Sequence, residues 1–168
     1  GYWPKGLKMD ITNLHIAQDE YVKMLFSHIP HGVRTILDVG CGTGRIARML
    51  IDAGYKVDCV SPSAVLAKRA AELLPEKSNM FQCLYEDLQT TDRYDLVLFS
   101  ESFKYIDPLK AVSKTSELLN DAGRLLICDI FKKNVGGKCI IGGGHKLNGF
   151  FDVMTNSSFK QIEDIDIT

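Results

Sequence analysis

Short apolar runs alternate with stretches of helical period along most of this chain. Between residues 14 and 28, Ile16, Ala17, Val22, Leu25 and Phe26 recur at helical spacing, and Pro30-His31-Gly32 closes the segment. Thr35-Ile36-Leu37-Asp38-Val39 reads as a buried strand, followed by helix-period Ile46, Met49 and Leu50, with Gly54 as the C-terminal stop. Residues 55–60 form a second strand, Ser61-Pro62-Ser63 opens a helix running to residue 74, and Pro75 ends it. Residues 80–85 form a third strand. The continuous run Tyr94-Asp95-Leu96-Val97-Leu98-Phe99-Ser100 forms a fourth, patterned as a strand covered on both faces. Residues 108–119 are helical, Asp121-Ala122-Gly123 turns, and residues 124–130 form a fifth strand. A glycine-rich loop (136–144), a weaker helix (147–155) and a final strand (161–168) close the chain.

Strands alternating with helices predict an α/β fold: a doubly wound, mostly parallel sheet with helices on both faces and right-handed crossovers. One domain over residues 1–168 accommodates it, with an N-terminal segment and helix (1–32), a core (33–130) and a C-terminal part (131–168). The net charge of −1 leaves no electrostatic footprint for nucleic acid or an anionic membrane, and Lys68-Arg69 and Lys132-Lys133 are short solvated clusters. The five cysteines (41, 59, 83, 128, 139) form no C-x-x-C pair and several lie in apolar runs. Free thiols of that kind point to a reducing compartment, the cytoplasm, and away from a zinc site or disulfide framework. No apolar run has the length of a membrane span, and the N-terminus carries no signal-peptide pattern.

The chemistry concentrates where the first strand meets its helix. Gly40-Cys41-Gly42-Thr43-Gly44 places three glycines in a G-x-G-x-G turn, with Asp38 two residues ahead. Strand, glycine turn and helix bring backbone N–H groups and a helix N-terminus close to a nucleotide-like ligand. A dinucleotide site requires G-x-G-x-x-G, and Arg45 stands where the third glycine would fall; no Gly-Lys-Ser/Thr of a phosphate loop occurs. In a doubly wound sheet the ligand lies beyond the strands' carboxyl ends. Those ends carry Asp38 to Gly44, Ser61-Pro62, Tyr85-Glu86-Asp87, Ser100-Glu101-Ser102 and Asp129.

Ile36 to Gly44 closely resembles motif I of the class I S-adenosylmethionine (SAM)-dependent methyltransferases, matching all nine positions of hydrophobic-hydrophobic-D-hydrophobic-G-C-G-T-G. The resemblance extends from about residue 19 to 129 and implies SAM as cofactor, a SAM-binding core and methyl transfer to a small-molecule acceptor. It implies that Asp38 receives the methionine ammonium and that Gly40, Cys41, Gly42 and Gly44 line the cofactor through backbone atoms. Ser61, followed by Pro62, stands where the family carries a ribose-binding acid, and a serine hydroxyl makes the weaker, neutral hydrogen bond. Glu86-Asp87-Leu88 is similar to the family's adenine-reading E-D-L, with Leu84 in place of the preceding acid and Tyr85 backbone groups able to serve. Glu86 and Asp87 read equally well as caps of a loop.

Ser100 to Pro108 corresponds to the segment after the family's fourth strand, with Ser100 facing the acceptor and Tyr105 at a histidine position. Glu101 contacts substrate or acts as a helix-start carboxylate. Asn/Asp-Pro-Pro-Tyr is absent, so nucleic-acid and translation-factor acceptors are not expected, and no carboxylate cluster marks the metal-dependent branch. Tyr105 and His145 are the candidate catalytic groups; His145, beside Gly142-Gly143-Gly144, is either a general base on an acceptor hydroxyl or a loop bystander. Asp58 reads as a structural or edge-facing carboxylate. The acceptor pocket is expected from the N-terminal helix, residues 100–107 and residues 131–146. Measured against the family's usual ending, the terminal strand hairpin is incomplete. That leaves a sheet edge able to pair with a second copy as a homodimer. A non-catalytic SAM-binding domain and a nicotinamide-dependent oxidoreductase are the competing readings.

Overall fold

The computed structural model describes residues 2–3, 6–133 and 144–167. They fall into two compact units, one comprising the N-terminal 32 residues with 161–168, the other residues 33–160. In the first unit a 3-10 turn over Ile11–Asn13 leads into α1 (Leu14–Ser27). The Asp10 carboxylate caps that turn by accepting from the backbone N–H groups of Thr12 and Asn13 at 3.1 Å each. Helix α1 buries Ala17, Tyr21, Val22 and Leu25, the face its apolar period marks out.

The second unit holds a five-stranded sheet: β1 (Thr35–Val39), β2 (Lys56–Val60), β3 (Met80–Phe81), β4 (Tyr94–Ser100) and β5 (Leu119–Cys128). Their spatial order is β3-β2-β1-β4-β5 and every described pairing is parallel. The helices are α2 (Arg45–Asp52), α3 (Ala64–Leu73), α4 (Pro108–Leu118) and α5 (Leu147–Thr155). Central strands β1 and β4 are buried along nearly their whole length, as their unbroken apolar runs require. Leu37, Val39, Val97 and Phe99 join Ala111 and Leu118 of α4 in one core, so α4 covers that face. Ile36 and Asp38 point to the opposite face by the two-residue period of a strand. Buried Ala47 and Leu50 of α2, with Ala67 and Ala70 of α3, serve the helices that pack with each other and against β2 and β3. No described helix is long and apolar enough to cross a membrane.

Three expectations are corrected. Strand β3 has only two residues, because the chain turns inward at Tyr85, whose ring is 2% exposed and packs edge-on to Phe99. Its hydroxyl pairs with that of Thr115 at 2.8 Å. Strand β5 starts earlier than residue 124: Leu119 already pairs with Tyr94, and the register then jumps to Leu96 opposite Arg124. The expected turn at 121–123 lies within that irregularity, as extra residues of the β5 strand where a Cβ on Gly123 would meet the Asn120 carbonyl oxygen at 2.9 Å. The described part of 161–168 is not a strand; it groups with α1 in a unit containing no described strand to pair with. Residues 136–143 of the glycine-rich loop, with Cys139, lie outside the described residues.

Candidate functional site

After β1 the chain crosses to β2 on one side, and after β3 it crosses to β4 on the other, so the strand order reverses at the β1–β4 boundary. Loops leaving the carboxyl ends of two such strands diverge and open a crevice. The glycine turn is built there. Gly40 donates its N–H to the Val60 carbonyl at 2.8 Å, tying the turn to β2. Gly40, Gly42 and Gly44 have φ of 71°, 58° and 83°, a region that side chains disfavour. Each glycine has a different neighbour. A Cβ on Gly40 would meet Ser102 Cβ at 2.5 Å, and one on Gly44 would meet Ala70 Cα at 3.0 Å, whereas Gly42 faces open space to 4 Å. The turn is thus clamped at both ends and open in the middle. Gly44 is also the N-cap of α2, with no side chain capping the first N–H groups.

Asp38, at the penultimate position of β1, is 1% exposed and its Oδ2 has no hydrogen-bond partner among the described residues. Burial pushes its carboxyl up to about 7. An unpaired buried carboxylate oxygen costs several kcal/mol in order of magnitude unless something cationic or donating reaches it. On the β4 side, the Ser102 hydroxyl donates to the Val39 carbonyl, fastening the β4 loop against the glycine turn. Glu101 sits between, exposed, with φ of 58° and its N–H bonded to the Cys128 carbonyl at 2.8 Å. A non-glycine residue in that region stores roughly 1–3 kcal/mol, a strain concentrated at ligand-handling sites.

Residues 37–127, more than half of the chain, match the family described as "Methyltransferase domain". The chain belongs to this methyltransferase domain family. It is 27% identical over 114 residues to the malonyl-acyl-carrier-protein O-methyltransferase of Anoxybacillus flavithermus, covering 66% of this chain and 44% of that protein. Among solved structures it resembles the geranyl diphosphate C-methyltransferase of Streptomyces coelicolor, with TM-score 0.75, 20% identity and coverage of 88% and 62%. A structure from Galdieria sulphuraria named after the sarcosine dimethylglycine methyltransferases gives TM-score 0.80, 22% identity and coverage of 93% and 66%. These structural likenesses establish the fold. The chain spans about half the length of the curated relatives it matches, between 44% and 53% for examples from Anoxybacillus and Geobacillus.

Within the methyltransferase domain the remaining expected residues are placed unevenly. Cys41 turns toward the β2–β3 side, its Sγ 4.0 Å from Met80 Sδ. Cys59 beside it is kept protonated by that neighbouring thiol and by burial. Ser61 is 3% exposed and its hydroxyl oxygen accepts from the Ser63 N–H at 3.4 Å; Pro62 next to it is exposed. Tyr85 lies in the core, so only its backbone can reach a ligand. Glu86 and Asp87 stand in the 3-10 turn that follows β3, half-buried and exposed respectively. Ser100 is half-buried at the end of β4.

Tyr105 is 79% exposed, under the Lys104 ammonium at 5.4 Å, and is not gathered with the glycine turn. His145 is gathered. Its Nε2 lies 3.2 Å from the Phe103 carbonyl and its ring meets the Phe103 ring edge-on at 5.6 Å. Asp58 is structural: it accepts from the Asn79 N–H at 2.7 Å and the Tyr94 hydroxyl at 2.9 Å.

The structure gives partners to Ser102 and Asp129, which the sequence placed at strand tips without a role, and to Phe103. Ser102 locks the two loops, and Phe103 is an aromatic hub touching Phe99, Phe131, Phe150 and His145. Asp129, with its side chain 1% exposed, holds the Lys104 N–H at 2.9 Å and the Lys104 ammonium at 3.4 Å. Only the position of Ser102-Phe103 directly after a strand tip could have flagged them. Among the described residues no three His, Cys, Asp or Glu side chains gather as a metal site.

Proposed function

We propose that this domain binds SAM at the glycine turn and transfers its methyl group to a small-molecule acceptor. The observation that carries the reading is Asp38: a buried carboxylate with an unpaired oxygen, beside a turn whose middle glycine faces open space, at the sheet's switch point. The residues fit the cofactor. Asp38 offers its methionine ammonium a charged acceptor, the Gly40 to Gly44 backbone admits it closely, and Ser61 and the 85–87 turn lie at the strand ends where ribose and adenine would be held. SAM supplies a methyl already activated by its sulfonium, so the protein's task is to orient the acceptor and exclude water. The similar Streptomyces coelicolor structure contains S-adenosyl-L-homocysteine, which supports the assignment.

The relatives include O- and C-methyltransferases, so the acceptor atom has to come from this chain's own residues. Cys41, Cys59 and Cys83 carry free thiols, which supports the cytoplasm as its location. Calorimetric titration of the chain with SAM, S-adenosylhomocysteine and NAD tests the reading. Binding of the two sulfur compounds and not of NAD is expected. Absence of either below millimolar concentration overturns it, and tight binding with no methyl transfer to any acceptor leaves a non-catalytic SAM-binding domain.

A further inference from the structure

Three sulfur side chains gather behind the glycine turn, on the sheet face that carries Asp38. Cys59 of β2 is the register partner of Asp38 on one side and of Met80 of β3 on the other. Paired residues of neighbouring strands put their side chains on one face, so Cys59 and Met80 stand side by side there. Cys41 reaches them from the turn. Its Sγ is 4.0 Å from Met80 Sδ, and its thiol is the strongest neighbour of the Cys59 thiol. Cys59 is fully buried, whereas Cys41 and Met80 are half-buried and give the group an opening. None of the three sulfurs has a task in holding SAM, because Cys41 meets the crevice through its backbone.

The chemistry of the donors selects the ion. Two thiols and a thioether are soft, polarisable ligands, the set that favours Cu(I). Zinc takes cysteine, histidine and carboxylate ligands in closed tetrahedra, and a thioether is foreign to that set. The third donor here is Met80, so this group is distinct from any cluster of His, Cys, Asp or Glu. The spacing agrees. Two sulfurs each about 2.3 Å from one ion, at an angle of about 120°, stand about 4.0 Å apart. That is the separation of Cys41 Sγ and Met80 Sδ. A planar site of three sulfurs therefore fits this pair as it stands.

We infer that Cys41, Cys59 and Met80 form a Cu(I) site that staples the glycine turn to β2 and β3. On binding, each thiol gives its proton to the buffer, leaving one Cu(I), two thiolates and a neutral thioether. Copper arrives and stays as Cu(I), so no electron is transferred. Without the ion, the Cys41 thiol and burial hold Cys59 protonated, so the metal displaces a proton there rather than meeting a ready thiolate. The site stands apart from the SAM reading, since no sulfur of the three is assigned to the cofactor.

Titration of the whole chain with Cu(I), kept reduced by ascorbate under nitrogen and in competition with bathocuproine disulfonate, tests the site. The variant C83S/C128S/C139S keeps only the two thiols of the site and is expected to hold one Cu(I). X-ray absorption should then show three sulfurs at about 2.3 Å, and an equal amount of Zn(II) should leave the copper bound. M80L conserves volume and should leave two sulfurs. It should weaken Cu(I) binding by at least the roughly 10- to 100-fold that losing even an outer partner of a metal site costs. M80L is measured in the parent chain as well, so that a folding defect in the triple variant does not remove the test. No Cu(I) on a folded triple variant, copper held as tightly by M80L as by its parent, or displacement by equimolar Zn(II) overturns the proposal.

Discussion

Replacing Asp38 by asparagine separates the cost of burying this carboxylate from its use. In the unfolded chain the group ionises near its ordinary 3.8, and in the fold burial holds the proton up to about 7. Between those values the folded state binds more protons than the unfolded one, so stability falls as pH rises and is lowest, and flat, above about 7. A shift of that size corresponds to about 4 kcal/mol at most, at 1.36 kcal/mol per unit. A protonated carboxyl and an amide are near isosteres, so D38N and the parent should be about equally stable near pH 4. D38N should then gain steadily relative to the parent, by about 3 kcal/mol between about pH 5 and about pH 8. Urea unfolding followed by far-ultraviolet circular dichroism, without ligand, measures the gap at each pH. The ligand reverses the sign. An ammonium against the carboxylate stabilises the ionised form, so S-adenosylhomocysteine should bind more tightly at about pH 8 than at about pH 6, releasing a proton below pH 7. D38N should lose about 1.5–3 kcal/mol of that affinity, the value of a charge-assisted hydrogen bond, together with the pH dependence. A stability gap that stays constant with pH refutes the buried, unpaired carboxylate. Unchanged affinity in D38N with the gap present refutes its role toward the ammonium.

The clamped and open glycines should differ, because only the first adds a steric clash to the backbone strain both share. Gly40→Ala forces a methyl into Ser102 at 2.5 Å in a left-handed backbone and should cost about 2 kcal/mol or more in urea unfolding. Gly42→Val meets no clash but puts a β-branched side chain at φ 58°, so it should cost about 1–2 kcal/mol of stability while abolishing S-adenosylhomocysteine binding in calorimetry; retained binding in the folded variant moves the ligand elsewhere. Tyr94→Phe removes the hydroxyl donor to buried Asp58 and should cost about 1–3 kcal/mol without changing ligand affinity, and a drop in affinity would tie Asp58 to the site. Strand β5 pairs on one edge only among the described residues, so the isolated chain should self-associate with concentration in sedimentation velocity. A monomer at all concentrations removes that edge as a homodimer interface.

What the sequence disclosed and what it hid follows the range of the interaction that decides each residue. Strands β1 and β4 were legible because a strand buried on both faces writes itself as an unbroken apolar run. Asp38 was legible by the same logic: a carboxylate inside Ile-Leu-Asp-Val, between two buried neighbours, has to be buried with them. The C-terminal alternation of isoleucine with acids misled, since period two makes a strand only where a partner edge exists, and residues 161–167 have none in their unit. Strand β3 was cut short by a choice invisible locally, the packing of Tyr85 on Phe99 and Thr115 across the core. The contacts of Ser102 and Phe103 were hidden for the strongest reason. Their roles are set by Val39, 63 residues away from Ser102, and by His145, 42 residues away from Phe103. The glycine turn is readable from its spacing, whereas the contact that fastens the β4 loop onto it, Ser102 on the Val39 carbonyl, becomes visible only in the fold.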